Sequence, residues 1–375
     1  MLQARFRRPL QRRVLRTGQM AWLLLALAAN ALPSAQKVGA ADPSPGEHAD
    51  RLEAAFADLE QREISVIVAL VHGDEQPVVR EFGALREDGI PPGETQVDIG
   101  SITKTVTGAM LLKLAEQGKV QFDETLADIF SEVPADKAGI TVQQLLTHSS
   151  GFRDAVGSDE ERLAKNKFLE RAFWSRLISE PGDEYHYSNV GFSVLAAIIE
   201  HRSGKTYDTF LQEDVLAGLG FENTGYMSIY EDDRSLHSRD GETIIQASWG
   251  GHEPYWNLIG NGGLVSTPAE YMRFRQAFAS GKIVAPEFVE RAQTPHVPEN
   301  EAKTSYYGYG LVVQDHPRLG RFYWHDGGNG IFSAQWMDFA AQNDLIFTAA
   351  ANGEEGDAFS AIGIVYKHLY PRDDD

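Results

Sequence analysis

The sequence contains no cysteine. Thiol nucleophiles, thiolate metal centres and disulfides are therefore excluded, and an exported form would need no oxidative folding. Basic residues are scarce beyond the N-terminus. Residues 1–40 hold seven of the 34 lysines and arginines and no acidic residue, which leaves 27 positive against 54 negative side chains, a net of −27, in the rest. Such a chain repels nucleic acid and anionic lipid surfaces, so no nucleic-acid partner is expected. Among the 11 histidines no H-E-x-x-H pair occurs, and His148 stands alone in "LLTHSSG". A catalytic zinc takes about three protein ligands, so neither a metal nor another cofactor is expected. The nucleophile elbow G-x-S-x-G is missing too. "SGKTY" (203–207) ends like a phosphate-binding loop, but Ile199 stands where that loop needs glycine.

No apolar run is long enough to cross a bilayer comfortably. The longest, "MAWLLLALAANAL" (20–32), has 13 residues; six arginines precede it and the small residues "VGAAD" follow. That order is expected of a bacterial secretory signal over residues 1–40, removed to give a periplasmic or secreted protein without stable membrane insertion. An uncleaved anchor is the alternative. Arg12-Arg13 before Val14-Leu15 resembles a twin-arginine signal, which would carry a folded protein.

With 375 residues, 42% of them hydrophobic, and no fixed-period repeat, the remainder suits one large or two interleaved globular domains. "ADRLEAAFADLEQ" reads as an amphipathic helix, and "ISVIVALVHGD" with "QPVVREFGALR" as a hairpin. Helical periodicity dominates from about 122 to 225. From about 240 short strand-like runs return, "ETIIQAS", "YGYGLVVQD", "RFYWHDG", "FSAQWMDF" and "DLIFTAAAN", before a final helix over "GDAFSAIGIVYKHLY". The expected fold is α+β: an antiparallel sheet flanked by helices, from 41–120 and 240–375, with a mostly helical domain inserted at 121–239.

The chemistry is expected in "DIGSITKTVTGAMLLKLAEQGKV" (98–120). Ser101 and Lys104 stand three residues apart, so on a helix they share a face one turn from each other. Serine is a weak nucleophile unless a neighbouring base takes its proton, and a lysine whose pKa burial has lowered can do so. The helix N-terminus would stabilise developing negative charge. The plain alternative is a capping serine beside a solvated lysine, and a second Ser-x-x-Lys, "SAQK" (34–37), shows how little the spacing means alone.

Two further groups accompany it: Tyr187-Ser188-Asn189 in "PGDEYHYSNVGF", and His325-Asp326-Gly327 in "RFYWHDGGNG". With these, and with "LLTHSSG", "GLGFENTG" and "NGGLVSTPAEYMRF" in the same order, the sequence resembles the serine β-lactamase and penicillin-binding-protein superfamily. The nearest branch is class C β-lactamase-like, with esterase and D-aminopeptidase-like members, and the likeness covers most of residues 50–370. It implies that Ser101 is the acylated nucleophile, with Lys104 and Tyr187 sharing the proton transfers. It implies too that Asn189 binds Lys104 and the substrate, and that the N–H groups of Ser101 and Gly328 form an oxyanion hole. Which group is the base stays open. His325 and Gly327 would line the substrate site; many members have lysine where His325 stands, so strong β-lactam turnover is not expected. Strand alternation should turn Asp326 to the other face. A second Tyr-x-Asn, Tyr255-Trp256-Asn257, is a decoy whose surroundings, with Trp249, suit a pocket wall or the core.

The expected function is an exported serine hydrolase acting on a small ester, or on an amide in a D-amino-acid peptide. A peptidoglycan D,D-carboxypeptidase or weak β-lactamase is the alternative within enzymes, and a non-catalytic binding protein of the same fold the alternative outside them.

Overall fold

The computed structural model describes residues 45–372 except 84, 86–88, 239 and 352–355. The signal-like segment, the "SAQK" copy and the anchor alternative lie outside the described residues. In chain order the elements are α1 (Pro45–Glu60), β1 (Val66–His72), β2 (Val78–Phe82), β3 (Val97–Asp98), a short 3-10 turn (Gly100–Ile102) and α2 (Thr103–Glu116). Then come α3 (Leu126–Ile129), α4 (Val142–Leu146), α5 (Lys165–Trp174), α6 (Asn189–Ser203), α7 (Tyr207–Phe210) and α8 (Ile244–Ala247). The rest are β4 (Val265–Ser266), α9 (Pro268–Ala279), α10 (Pro286–Ala292), β5 (Val297–Pro298), β6 (Tyr306–Tyr307), β7 (Val312–His316), β8 (Gly320–Gly328), β9 (Phe332–Phe339), β10 (Asp344–Ala351) and α11 (Gly356–Leu369).

Eight strands form one antiparallel sheet in the order β2-β1-β10-β9-β8-β7-β6-β5, while β3 and β4 pair separately. The hairpin β1–β2 is the one the two strand-like runs predict, and β1 then pairs with β10, Ile67 opposite Ala349. All of β10 is buried, because α1 and α11 cover one face of the sheet and α9 the other. Burial on both faces explains its nearly continuous apolar run. The α+β architecture is thus the one the sequence predicts. Among the described residues, no helix is long and apolar enough to cross a membrane.

One element differs. "ETIIQAS", read as a strand, contains the helical turn α8. Thr243 Oγ1 accepts from Gln246 N (3.2 Å) while Thr243 N donates to Gln246 Oε1 (3.0 Å), a reciprocal cap that fixes a helix start. Only Ile244 of that turn is buried, so no pleated, half-buried surface is there to favour a strand.

Candidate active site

The site is assembled where the end of β8 abuts the turn that starts α2. Asp98, the last residue of β3, accepts from Gly100 N (2.7 Å) through Oδ1 and from Ser248 Oγ through Oδ2, and Asn329 Nδ2 lies 3.4 Å from the same Oδ2. One buried carboxylate thus fixes the turn before Ser101 to the β8–β9 connection. Burial pushes its pKa up, while Ser248 and Gly100 pull it down. Gly100 has φ +49°, and a Cβ there would lie 2.6 Å from Gly328 N. A Cβ on Gly327 would lie 2.3 Å from Ile99 O and 2.5 Å from Ser101 N. Only glycines allow the two backbones so close.

That closeness sets two N–H groups beside each other. Ser101 opens a helix, where the first N–H groups have no intrahelical acceptor. Asn329 N donates to Phe332 O, so antiparallel alternation turns the N–H of Gly328 away from β9.

Lys104 is buried completely, on the first turn of α2. Its Nζ lies 3.0 Å from Ser101 Oγ, 2.6 Å from Asn189 Oδ1 and 2.7 Å from Asn261 O. Two of these partners are carbonyl oxygens and can only accept. A neutral amine has two N–H bonds to give them, and its lone pair then faces the serine hydroxyl. Desolvation lowers the Lys104 pKa to about 7, against the opposing pull of Asp154, Asp159 and Asp326. The Asn261 carbonyl is itself held, since the Asn261 side chain donates to Ser193 Oγ (2.8 Å) and Asn257 O (2.7 Å).

Tyr187 completes the group. Its ring centroid lies 4.7 Å from Lys104 Nζ, and its hydroxyl interacts with Ser101. Burial, before any other influence, holds its pKa well above 10. Ser188 caps α6 by accepting from Gly191 N (2.9 Å), which presents Asn189 at the first helical position. Asn189 Nδ2 donates to Asp154 Oδ1 (3.0 Å), and this orients its Oδ1 toward Lys104.

His148, unassigned in the sequence, pins this segment. Its carbonyl accepts from His186 N (2.7 Å) and its Nδ1 from Ser188 N (3.0 Å), with φ +56°. The ring is fully buried, 4.4 Å from that of Tyr187 and 4.5 Å from that of Tyr307, and desolvation holds its pKa well below 6.5. Because Nδ1 accepts, the ring is the neutral Nε2–H form. "LLTHSSG" gave its position but no hint of this role.

His325 is 2% exposed. Nδ1 lies 2.6 Å from Asp326 O, an acceptor only, so Nδ1 carries the proton and Nε2 accepts from Tyr307 Oη (2.9 Å). Desolvation, aided by the charge of Lys104, lowers its pKa to about 3. Neutral, with both nitrogens engaged, it has no N–H left for a substrate anion. In the sheet His325 pairs with Trp336, which packs on Tyr271 of α9. Asp326 pairs with Gln335, which pairs in turn with Thr348, whose hydroxyl donates to Ala358 O of α11. Asp326 therefore belongs to the opposite face, although its charge is felt at Lys104 and Tyr187.

In the second Tyr-x-Asn only Asn257 reaches toward Lys104, through the carbonyl it offers to Asn261. Tyr255 packs edge-on against His252 (4.9 Å), Asn257 donates to Ser158 O (2.8 Å), and Trp256 lies near Phe168 and Lys165. Trp249 is wholly buried and donates to Gly263 O (2.9 Å), which makes it core. Asp159, by contrast, was not singled out. It is open to water, yet enough protein surrounds it that desolvation raises its pKa to about 6, with Asp154, Glu160 and Asp98 adding to the rise and Lys104 opposing it.

Comparison with known proteins bears on the family and the fold. The Beta-lactamase family profile matches residues 49–369. The chain is 25% identical over 296 residues to penicillin-binding protein 4* of Bacillus subtilis, covering 72% of this chain and 64% of that protein. It is 30% identical over 223 residues to the D-alanyl-D-alanine-carboxypeptidase/endopeptidase AmpH of Escherichia coli, covering 55% of each. The matches thus span only about half to two thirds of these relatives. In fold it is similar to the D-amino acid amidase of Ochrobactrum anthropi (TM-score 0.71, 21% identity, 86% of this chain and 98% of that one). It is also similar to a penicillin-binding protein of Bacillus halodurans (TM-score 0.67, 22% identity, 83% and 98%).

Proposed function

The chain belongs to the Beta-lactamase family of serine hydrolases, and within it we propose an enzyme that forms an acyl-enzyme on Ser101. The observation that carries this reading is the setting of Lys104. Its nitrogen faces Ser101 Oγ at 3.0 Å while two carbonyl oxygens take its protons. With a pKa of about 7, against a Tyr187 pKa well above 10, Lys104 is the base and Tyr187 stays a phenol.

In acylation Ser101 Oγ attacks the acyl carbon and its proton passes to Lys104 Nζ. The N–H groups of Ser101 and Gly328 receive the charge that develops on the carbonyl oxygen. As the tetrahedral intermediate collapses, the Tyr187 hydroxyl gives its proton to the leaving oxygen or nitrogen and takes one back from the Lys104 ammonium. Water then repeats the sequence on the ester, and Asn189 holds Lys104 throughout.

The substrate we infer is a small ester or amide whose acyl part is neutral or carries an ammonium group, such as a D-amino-acid amide. Asp154 and Asp159 flank Lys104, and the neutral, fully bonded His325 offers no charge to a carboxylate. The likeness to a D-amino acid amidase supports the amide. Likeness to AmpH favours a second reading, a D,D-carboxypeptidase, whose substrate carboxylate would meet these acidic groups. The arginine-rich start supports export.

The test is intact mass before and after a fluorophosphonate and a penicillin, with turnover of a D-amino-acid amide, a short-chain ester and a D-Ala-D-Ala peptide. Ser101→Ala is expected to fold normally and to lose both adduct and turnover; turnover that persists refutes the assignment. A stable penicillin adduct with peptide cleavage would move the reading to the carboxypeptidase. The untreated mass also shows whether, and where, a signal is cut.

A further inference from the structure

At the opposite end of the sheet from Ser101, three side chains converge that the reaction does not use. His72 ends β1 and pairs directly with Asp344, which begins β10. His48 lies on the first turns of α1. His48 Nε2 and His72 Nδ1 stand 2.9 and 2.8 Å from the same oxygen, Asp344 Oδ1, and the three atoms all lie within 4.8 Å of one another. The other oxygen, Oδ2, accepts the hydroxyl of Tyr370, just past α11. His48 and Asp344 are buried, whereas 37% of the His72 side chain is exposed. Ala349, beside the strand pair that carries Gly327, lies five residues further along β10, roughly 17 Å away.

We propose that His48, His72 and Asp344 bind one divalent transition-metal ion of the zinc class. Two imidazole nitrogens and one carboxylate oxygen are the donor set such ions prefer over magnesium or calcium. Donor atoms about 2.0–2.1 Å from a tetrahedral zinc stand about 3.4 Å apart, so the two histidine–carboxylate spacings need to open by only about half an ångström, while the two histidine nitrogens, at most 4.8 Å apart, settle to the same distance. His72 can supply that movement, since its ring is partly free in solvent, and the same opening admits water as a fourth ligand. Both histidines can bind without losing a proton overall. Each moves its N–H to the other ring nitrogen, which frees the lone pair that faces Asp344. Tyr370 fixes the carboxylate from behind, as an outer partner does for a metal ligand. The ion would join α1, β1, β10 and the end of α11, so its effect falls on the anchoring of α1 and α11 and not on hydrolysis.

The test is zinc titration of the full chain after chelator treatment, followed by calorimetry and metal analysis, with cobalt as a spectroscopic probe. One equivalent is expected, with a higher melting temperature and the visible absorption of tetrahedral cobalt. His72→Ala, half-exposed and so tolerated by the fold, is expected to weaken zinc binding at least about 100-fold and to abolish the melting shift. Tyr370→Phe should weaken it about tenfold. Binding of less than one equivalent at about 100 µM zinc would overturn the proposal and leave the triad as a hydrogen-bonded tie. Stoichiometric binding that survives both His72→Ala and Asp344→Asn would overturn it as well.

Discussion

Lowering the pH should switch off acylation of Ser101 in step with the protonation of Lys104. The lysine is charged below its folded pKa of about 7 and neutral above it, so the rate should fall tenfold per pH unit below 7. At pH 5 about 1% of the lysine is neutral, a loss of about 100-fold from the plateau. An ordinary lysine would place the limb near 10.4 and leave the rate at pH 7 roughly 3,000-fold below its plateau. Few other groups near Lys104 can mimic the limb. His325 titrates near 3, His148 well below 6.5 and Tyr187 well above 10. Asp159, near 6, acts in the other direction: its protonation removes a negative charge that favours the ammonium, which flattens the limb slightly. Burst-phase rates with a neutral ester between pH 5 and 9 measure the profile. A flat profile, or a limb above 9, would refute Lys104 as the base. Stability carries the same signature. A folded pKa depressed below the unfolded value penalises folding fully below pH 7, and the penalty fades as pH rises. Between 7 and 9 this group should add about 1.4 kcal/mol per pH unit, a slope absent from Lys104→Met.

Gly327→Ala should cut turnover about 100-fold, because its Cβ would push backbone atoms at Ile99 and Ser101 that position the nucleophile. Gly73→Ala is the control: it meets nothing within 4 Å and should cost only about 1 kcal/mol, from its φ of +57°. Asp159→Asn should raise KM for an ammonium-bearing amide but not for a neutral ester, and move the acylation limb to lower pH; equal effects on both substrates would refute its proposed role. Asp338→Ala should destabilise the fold by about 3–5 kcal/mol in denaturant titration, since it strands the fully buried Arg275, whose Nη2 lies 3.1 Å from Asp338 Oδ2. Adding Arg275→Met should recover most of that loss, and failure to recover would show that the pair does more than balance charge.

What the sequence revealed, and what it hid, divides along physical lines. Strands β8, β9 and β10 were legible as short apolar and aromatic runs between turn residues, and the proximity of Ser101 to Lys104 because three residues make nearly one helical turn. α8 was misread because "ETIIQAS" is rich in β-branched residues, and the Thr243–Gln246 cap outweighed that preference. The third partner of Lys104 is a backbone carbonyl, at Asn261, and a carbonyl leaves no trace in residue type. His148 owes its role to a left-handed backbone, which nothing in "LLTHSSG" announces. His48 and His72 reach Asp344 across separations of 296 and 272 positions, beyond any local spacing.

The pairing of the first sheet strand with the last governs how this chain must come into being. Val66 to Val71 leave the ribosome early, yet Ala349, the partner of Ile67, follows 282 residues later. Closing so long a loop costs about 5 kcal/mol of chain entropy before any contact in the pair repays it. A nascent or C-terminally truncated chain thus carries an apolar strand paired to β2 on one edge and open on the other to association with other chains. Nor can the proposed nucleophile, Ser101, be armed early, because Gly328 and Asn329, which complete its surroundings, belong to the same later segment. Reactivity is thereby withheld until residues 328 and 329 have been made and have docked beside Ser101.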